Sequence, residues 1–177
     1  MFDLLLKGLL HAFDLPFHLV ALTGLSLFSG QQGMAGVRLV LPVFMLALLI
    51  SFSLADTVPS FDGTFPLLGL ALLFGTLTIF HLRFYRGLLA SFALISGLLI
   101  GFTASPVILP GFSLLKIILP RLGLTLGLSL FAGLVMLFTV YLQRLWQGIG
   151  VRVLGSWVTA IALLMLALMY ASLNGKI

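Results

Sequence analysis

Hydrophobic residues run through this chain in long blocks, without the period of an amphipathic strand or helix, and polar residues gather in the gaps between them. A helix needs about 20 mostly apolar residues to cross a bilayer. By that measure the blocks predict six spans, at 15–29 (or from 4, if the first is read further back), 37–55, 65–84, 87–109, 117–142 and 151–173. Gly30-Gln31-Gln32-Gly33 and Gln147-Gly148-Ile149-Gly150 read as turns, and 56–63 holds Asp56, Pro59, Asp62 and Gly63. Pro106 and Pro110 end the fourth block, and Arg86-Gly87 joins the third to the fourth as a tight hairpin. The pattern predicts an all-α integral membrane fold. It is a single bundle of six transmembrane helices over 1–177, its first helix broken or kinked near Pro16.

Composition sharpens this. The chain is 62% hydrophobic and 7% charged, with a mean hydropathy of +1.31. A soluble domain carries about 25% charged residues, so a water-facing surface cannot be assembled from these side chains. The net charge of +5 raises the question of nucleic acid. The nine Lys and Arg residues are scattered between apolar blocks, however, as membrane-flanking anchors are, and no nucleic-acid partner is expected. Residues 1–14 lack a basic region followed by a cleavage site, so the first block is expected to stay as a span. The absence of Cys excludes disulfides and thiolate chemistry.

Six spans put both termini on one face with Lys7, Lys116, Arg121 and Lys176, and leave Arg38, Arg83, Arg86, Arg144 and Arg152 on the other. The 56–63 loop on the terminal face has no basic residue. The excess of positive loops on the cytoplasmic side then puts the arginines inside and both termini outside, in a bacterial inner membrane or its equivalent. Phe80, Phe84, Tyr85, Tyr141 and Trp146 fall near the arginine loops like an interfacial aromatic belt.

Small residues recur at helical spacing. Ala93, Gly97 and Gly101 form such a stripe, as do Gly123 with Gly127, Ser129 with Gly133, and Ala71 with Gly75. They read as helix-packing faces, where backbones approach closely because lipid supplies no hydrophobic drive. A glycine-lined substrate path is the alternative reading.

The polar residues of "GLLHAFDLPFHLVALTGLSLF" carry the candidate chemistry. On one continuous helix His11, Asp14 and His18 would share a face, and imidazole with carboxylate suits nickel, cobalt or zinc. In the simpler reading Asp14 caps a helix that starts near Leu15, with Pro16 in its first turn. A broken helix that presents ligands at membrane depth accommodates both. His81 lies beside Arg83 and Arg86 and reads as an interfacial residue, and Asp56 and Asp62 as solvated turn residues. No phosphate-binding loop, nucleophile elbow or zinc-protease motif is present, and an enzyme is not expected.

The same stretch resembles the first signature of the HupE/UreJ family, G-x-L-H-P-L-x-G-x-D-H-L-L-A. These are small membrane proteins linked to hydrogenase and urease and regarded as nickel or cobalt permeases. The likeness continues in order through "LVLPVFMLALLISFSLA", "PLLGLALLFGTL", "LLASFALISGLLIGF", "LGLTLGLSLF" and "RVLGSWVTAIALLML". His11 and His18 stand at the two histidine positions, with Phe17 at the aspartate and Ala12 at the proline. The second signature, F-H-G-x-A-H-G-x-E, aligns with "ISGLLIGFT": Ser96 and Ile100 replace its histidines and Thr103 its glutamate, while Gly97 and Gly101 remain. The histidine usual in the fifth helix falls near Pro120 or Arg121.

The resemblance implies the bundle with most of the ligands lost. The expected role is a non-catalytic accessory or structural subunit of a larger membrane complex, with lipid and other membrane subunits as partners. Sixteen phenylalanines supply surface for lipid, pigment or partner, or fill the core. The alternative is a divergent nickel or cobalt permease that uses His11, Asp14 and His18 and carries Ni or Co.

Overall fold

The computed structural model describes residues 2–11, 16–55, 63–104, 114–173 and 175. They form seven helices: α1 (Phe2–His11), α2 (Pro16–Gln31), α3 (Met34–Leu54), α4 (Thr64–Ile79), α5 (Arg86–Thr103), α6 (Leu114–Trp146) and α7 (Ile149–Leu173). No strand occurs among the described residues. Four stretches are long and apolar enough to cross a membrane: α3, α5, α7 and Ile118–Leu145 of α6. On α6, Leu124, Leu128, Ala132 and Met136 face inward, while Leu122, Leu126, Leu130, Leu134 and Phe138 face outward. A helix apolar on every side suits lipid or the middle of a protein, and this one is buried on one face and exposed on the other.

Helix α2 is the axis of the bundle. It packs against α3, α4, α5, α6 and α7, and 11 of its 16 residues are buried. The other helices pair around it, α3 with α5 and α4 with α7, and α1 lies against α6. Small residues stand at each of these crossings. A Cβ on Gly97 would meet the Ala47 Cβ at 2.6 Å, and one on Gly101 would meet the Ser51 Cβ at 2.6 Å. Between α4 and α7, a Cβ on Gly155 would touch the Thr78 Cβ at 3.0 Å. On α1, Gly8 sits under the Pro120 carbonyl, and on α6 Gly123 sits under that of Leu5. Ala93 is fully buried and Gly127 is buried as well.

Several boundaries depart from the sequence reading, but the first block is broken before Pro16, as expected, into α1 and α2 inclined at 78°. Their junction at 12–15, with Asp14, lies outside the described residues, as does the 56–62 loop. Gly30 is inside α2 and not in a turn; a Cβ there would strike the Thr139 Cβ at 2.6 Å. The turn shrinks to Gln32 and Gly33, whose φ of 79° is a left-handed value that glycine adopts without penalty. Helix α4 stops at Ile79 and not near Phe84, because His81 takes a φ of 53° and reverses the chain. The α4–α5 connection is therefore 80–85, and Arg86 already belongs to α5. Likewise α7 starts at Ile149, so Gln147 and Gly148, at φ 48° and 83°, make the whole α6–α7 turn.

Candidate functional site

His18 sits in the first turn of α2, 2% exposed, and its Nε2 lies 2.7 Å from the Thr103 Oγ1 in the last turn of α5. The Thr103 hydroxyl already donates to the Leu99 carbonyl at 2.8 Å. It therefore accepts from His18, which carries its proton on Nε2. That nitrogen has no lone pair to offer a metal in this arrangement. The ring of Phe17 lies 4.7 Å from the His18 ring, centre to centre. Ile100 is fully buried nearby in sequence on α5, and Ser96 is buried with an unpartnered hydroxyl. His11, at the end of α1, lies close enough to interact electrostatically with His18.

Of the three candidate ligands, His18 is bonded to Thr103, His11 ends α1, and Asp14 falls outside the described residues. Among the described residues no three His, Asp or Glu side chains converge. A divalent transition metal needs about four donors. Among the described residues, one imidazole committed to a threonine beside a phenylalanine ring supplies too few donors for such an ion. What the arrangement does is satisfy a buried histidine with a neutral partner, as burial at this depth demands.

The opposite end is built from glutamines. Gln32 donates from Nε2 to the Leu82 carbonyl at 2.8 Å and accepts the Phe84 N–H at 3.3 Å, holding the 80–85 connection against the α2–α3 turn. Gln143 of α6 donates to the Gln31 carbonyl at 3.0 Å. The Gln31 amide pairs with His81 Nδ1, and the His81 ring packs near Gly148. Sequence reading missed these clamps and read His81 as an interfacial residue. The available signal was compositional: the chain has only four glutamines, Gln31, Gln32, Gln143 and Gln147, all placed by the span pattern at the arginine end.

Inside this clamp four phenylalanine rings close the interior. Phe28 of α2 stacks on Phe74 of α4 at 5.8 Å and meets Phe92 of α5 edge-on at 5.9 Å. Phe84 of the connection adds a fourth ring, 5.5 Å from Phe28. Such contacts contribute about 0.5–1.5 kcal/mol per pair beyond the area they bury. They leave the space between α2, α4 and α5 filled with ring carbon.

Compared with known proteins, the chain matches no family model, no curated protein and no solved structure.

Proposed function

We propose that this chain is a HupE/UreJ-like membrane protein of six spans that no longer transports metal and serves as a non-catalytic accessory or structural subunit of a larger membrane complex. The observation that carries the reading is the hydrogen bond from His18 Nε2 to Thr103 Oγ1. These are the positions at which the two family signatures would supply a histidine and a glutamate. They adjoin across α2 and α5 but form a neutral pair without a carboxylate. The phenylalanine cluster beyond it supports the same reading, since a hydrated ion moving along α2 would have to displace four rings.

In this reading α1 and α2 together make one broken span and α4 another. The 16 residues of α4 rise about 24 Å, short of the roughly 30 Å hydrocarbon layer, and local thinning accommodates the difference. Both termini and the 56–63 loop lie outside, with the five-arginine end in the cytoplasm. Because the chain has no cysteine, a Cys placed at Ser60 reports this orientation cleanly. Labelling from the periplasmic face is expected, and labelling from the cytoplasmic face alone reverses it.

The divergent nickel or cobalt permease remains the second reading, favoured by the two histidines that end α1 and begin α2. Mild-detergent purification with mass spectrometry separates the two. The subunit role predicts other membrane proteins at fixed stoichiometry. A chain that runs alone, in cells whose nickel accumulation falls on His18→Ala, makes it a permease.

A further inference from the structure

The arginine end holds a cleft of about 390 Å³ lined by Gln31, Gln32, Gly33, Arg83, Arg86 and Gln143, among others. Its charge is unbalanced. The acidic residues of the whole chain are Asp3, Asp14, Asp56 and Asp62, and the span pattern of the sequence assigns every one to the other end. Arg83 and Arg86 are exposed and have no ion-pair partner among the described residues. No carboxylate among the described residues neutralises this end, which leaves it to draw its counter-ion from outside.

Two helix starts open on the same cleft. Gly33, Ala35 and Gly36 of the α3 start and Arg86 of the α5 start line it, and neither N-terminus has a side-chain cap. Uncapped first-turn N–H groups and the positive end of the helix dipole favour an anion. Gln31 is an independent pointer. It is 6% exposed, lines the cleft, and has its Oε1 buried without a partner. Turning the amide over lets Oε1 accept from the His81 ring and frees the NH₂ group for an oxyanion.

We propose that this cleft binds the phosphate group of an anionic phospholipid headgroup. Arg83 and Arg86 clasp the phosphate oxygens, the starts of α3 and α5 donate backbone N–H groups, and Gln31 supplies a further donor. Guanidinium forks match phosphate geometry with paired charge-assisted hydrogen bonds. A lipid is the source favoured over a soluble phosphate, because the cleft sits where membrane-crossing helices end and Phe84 and Leu89 give it apolar wall. The inference rests on the helices crossing a membrane and is independent of any subunit or transport role.

Native mass spectrometry of the detergent-purified chain, titrated with phosphatidylglycerol or phosphatidylcholine, tests it. One phosphatidylglycerol is expected to be retained with about a tenfold preference over phosphatidylcholine. Arg83→Ala with Arg86→Ala removes that preference. Arg144→Ala with Arg152→Ala deletes the same charge at the same end outside the cleft and keeps it. If the cleft double variant is not monodisperse, Arg83→Lys with Arg86→Lys keeps the charge but not the fork, and a several-fold drop is expected. Equal retention of both lipids, or equal loss in both double alanine variants, overturns the site in favour of diffuse charge. Inorganic phosphate that binds the delipidated chain, with no phosphatidylglycerol preference, overturns the lipid as its occupant.

Discussion

The two ends of this bundle handle polarity in opposite ways. At the end where α2 starts and α5 finishes, a histidine is buried and quieted by a threonine hydroxyl. At the arginine end Gln31, Gln32 and Gln143 each tie two segments together, and exposed Arg83 and Arg86 have no ion-pair partner among the described residues. The first end has residue types suited to a metal, but among the described residues no three such donors converge. The second has no candidate chemistry by motif, yet it presents an unbalanced positive cleft beside two uncapped helix starts. The difference teaches that residue identity at a familiar spacing says less about a site than whether its lone pairs and protons are already committed.

Both ends depend on close helix contact, and breaking that contact gives the largest effect. Gly97→Leu forces α5 off α3, and Gly30→Leu forces α2 off α6, where added carbon meets Ala47 and Thr139 at 2.6 Å. Each is expected to cost about 1–3 kcal/mol or more by overpacking. A collapse of monodisperse yield in detergent is the readout. Yield equal to the parent for both would show that these glycines are not crossings.

Next comes the histidine pair. Thr103→Val leaves the His18 N–H buried and unpaired, and should destabilise by about 1–3 kcal/mol. Adding His18→Leu to Thr103→Val removes the orphaned donor and should recover part of that loss. Thermal melts of the four members of this cycle measure the coupling, and strict additivity would deny it. At the arginine end Gln31→Leu is expected to cost less, about 0.5–1.5 kcal/mol, because one end of that amide is already without a partner.

The smallest effect is a gain. Gln147 holds a φ of 48° in the α6–α7 turn. Gln147→Gly should relieve this left-handed strain and stabilise by about 0.5–1 kcal/mol. A lower melting point would show that the Gln147 side chain contributes more than its backbone costs.

The helices were legible where hydrophobicity alone decides. The blocks located α3, α5, α6 and α7, since a long apolar run is its own signal. What stayed hidden depends on partners far away in the chain. Gly30 looks like a turn residue until Thr139 is seen against it, and the stop at Ile79 follows from a left-handed His81 held by Gln31, 50 residues away. The pairing of His18 with Thr103 spans 85 residues. Alignment with family signatures brought those two positions into view, but only geometry placed the threonine hydroxyl on the imidazole nitrogen.

The central claim is that the position where a metal would enter is closed by that neutral pair. Nickel and cobalt flux into proteoliposomes containing the purified chain tests it most directly. The account predicts uptake no faster than in protein-free vesicles, and no change on His18→Ala. Saturable uptake that His18→Ala abolishes and Thr103→Glu enhances would contradict it.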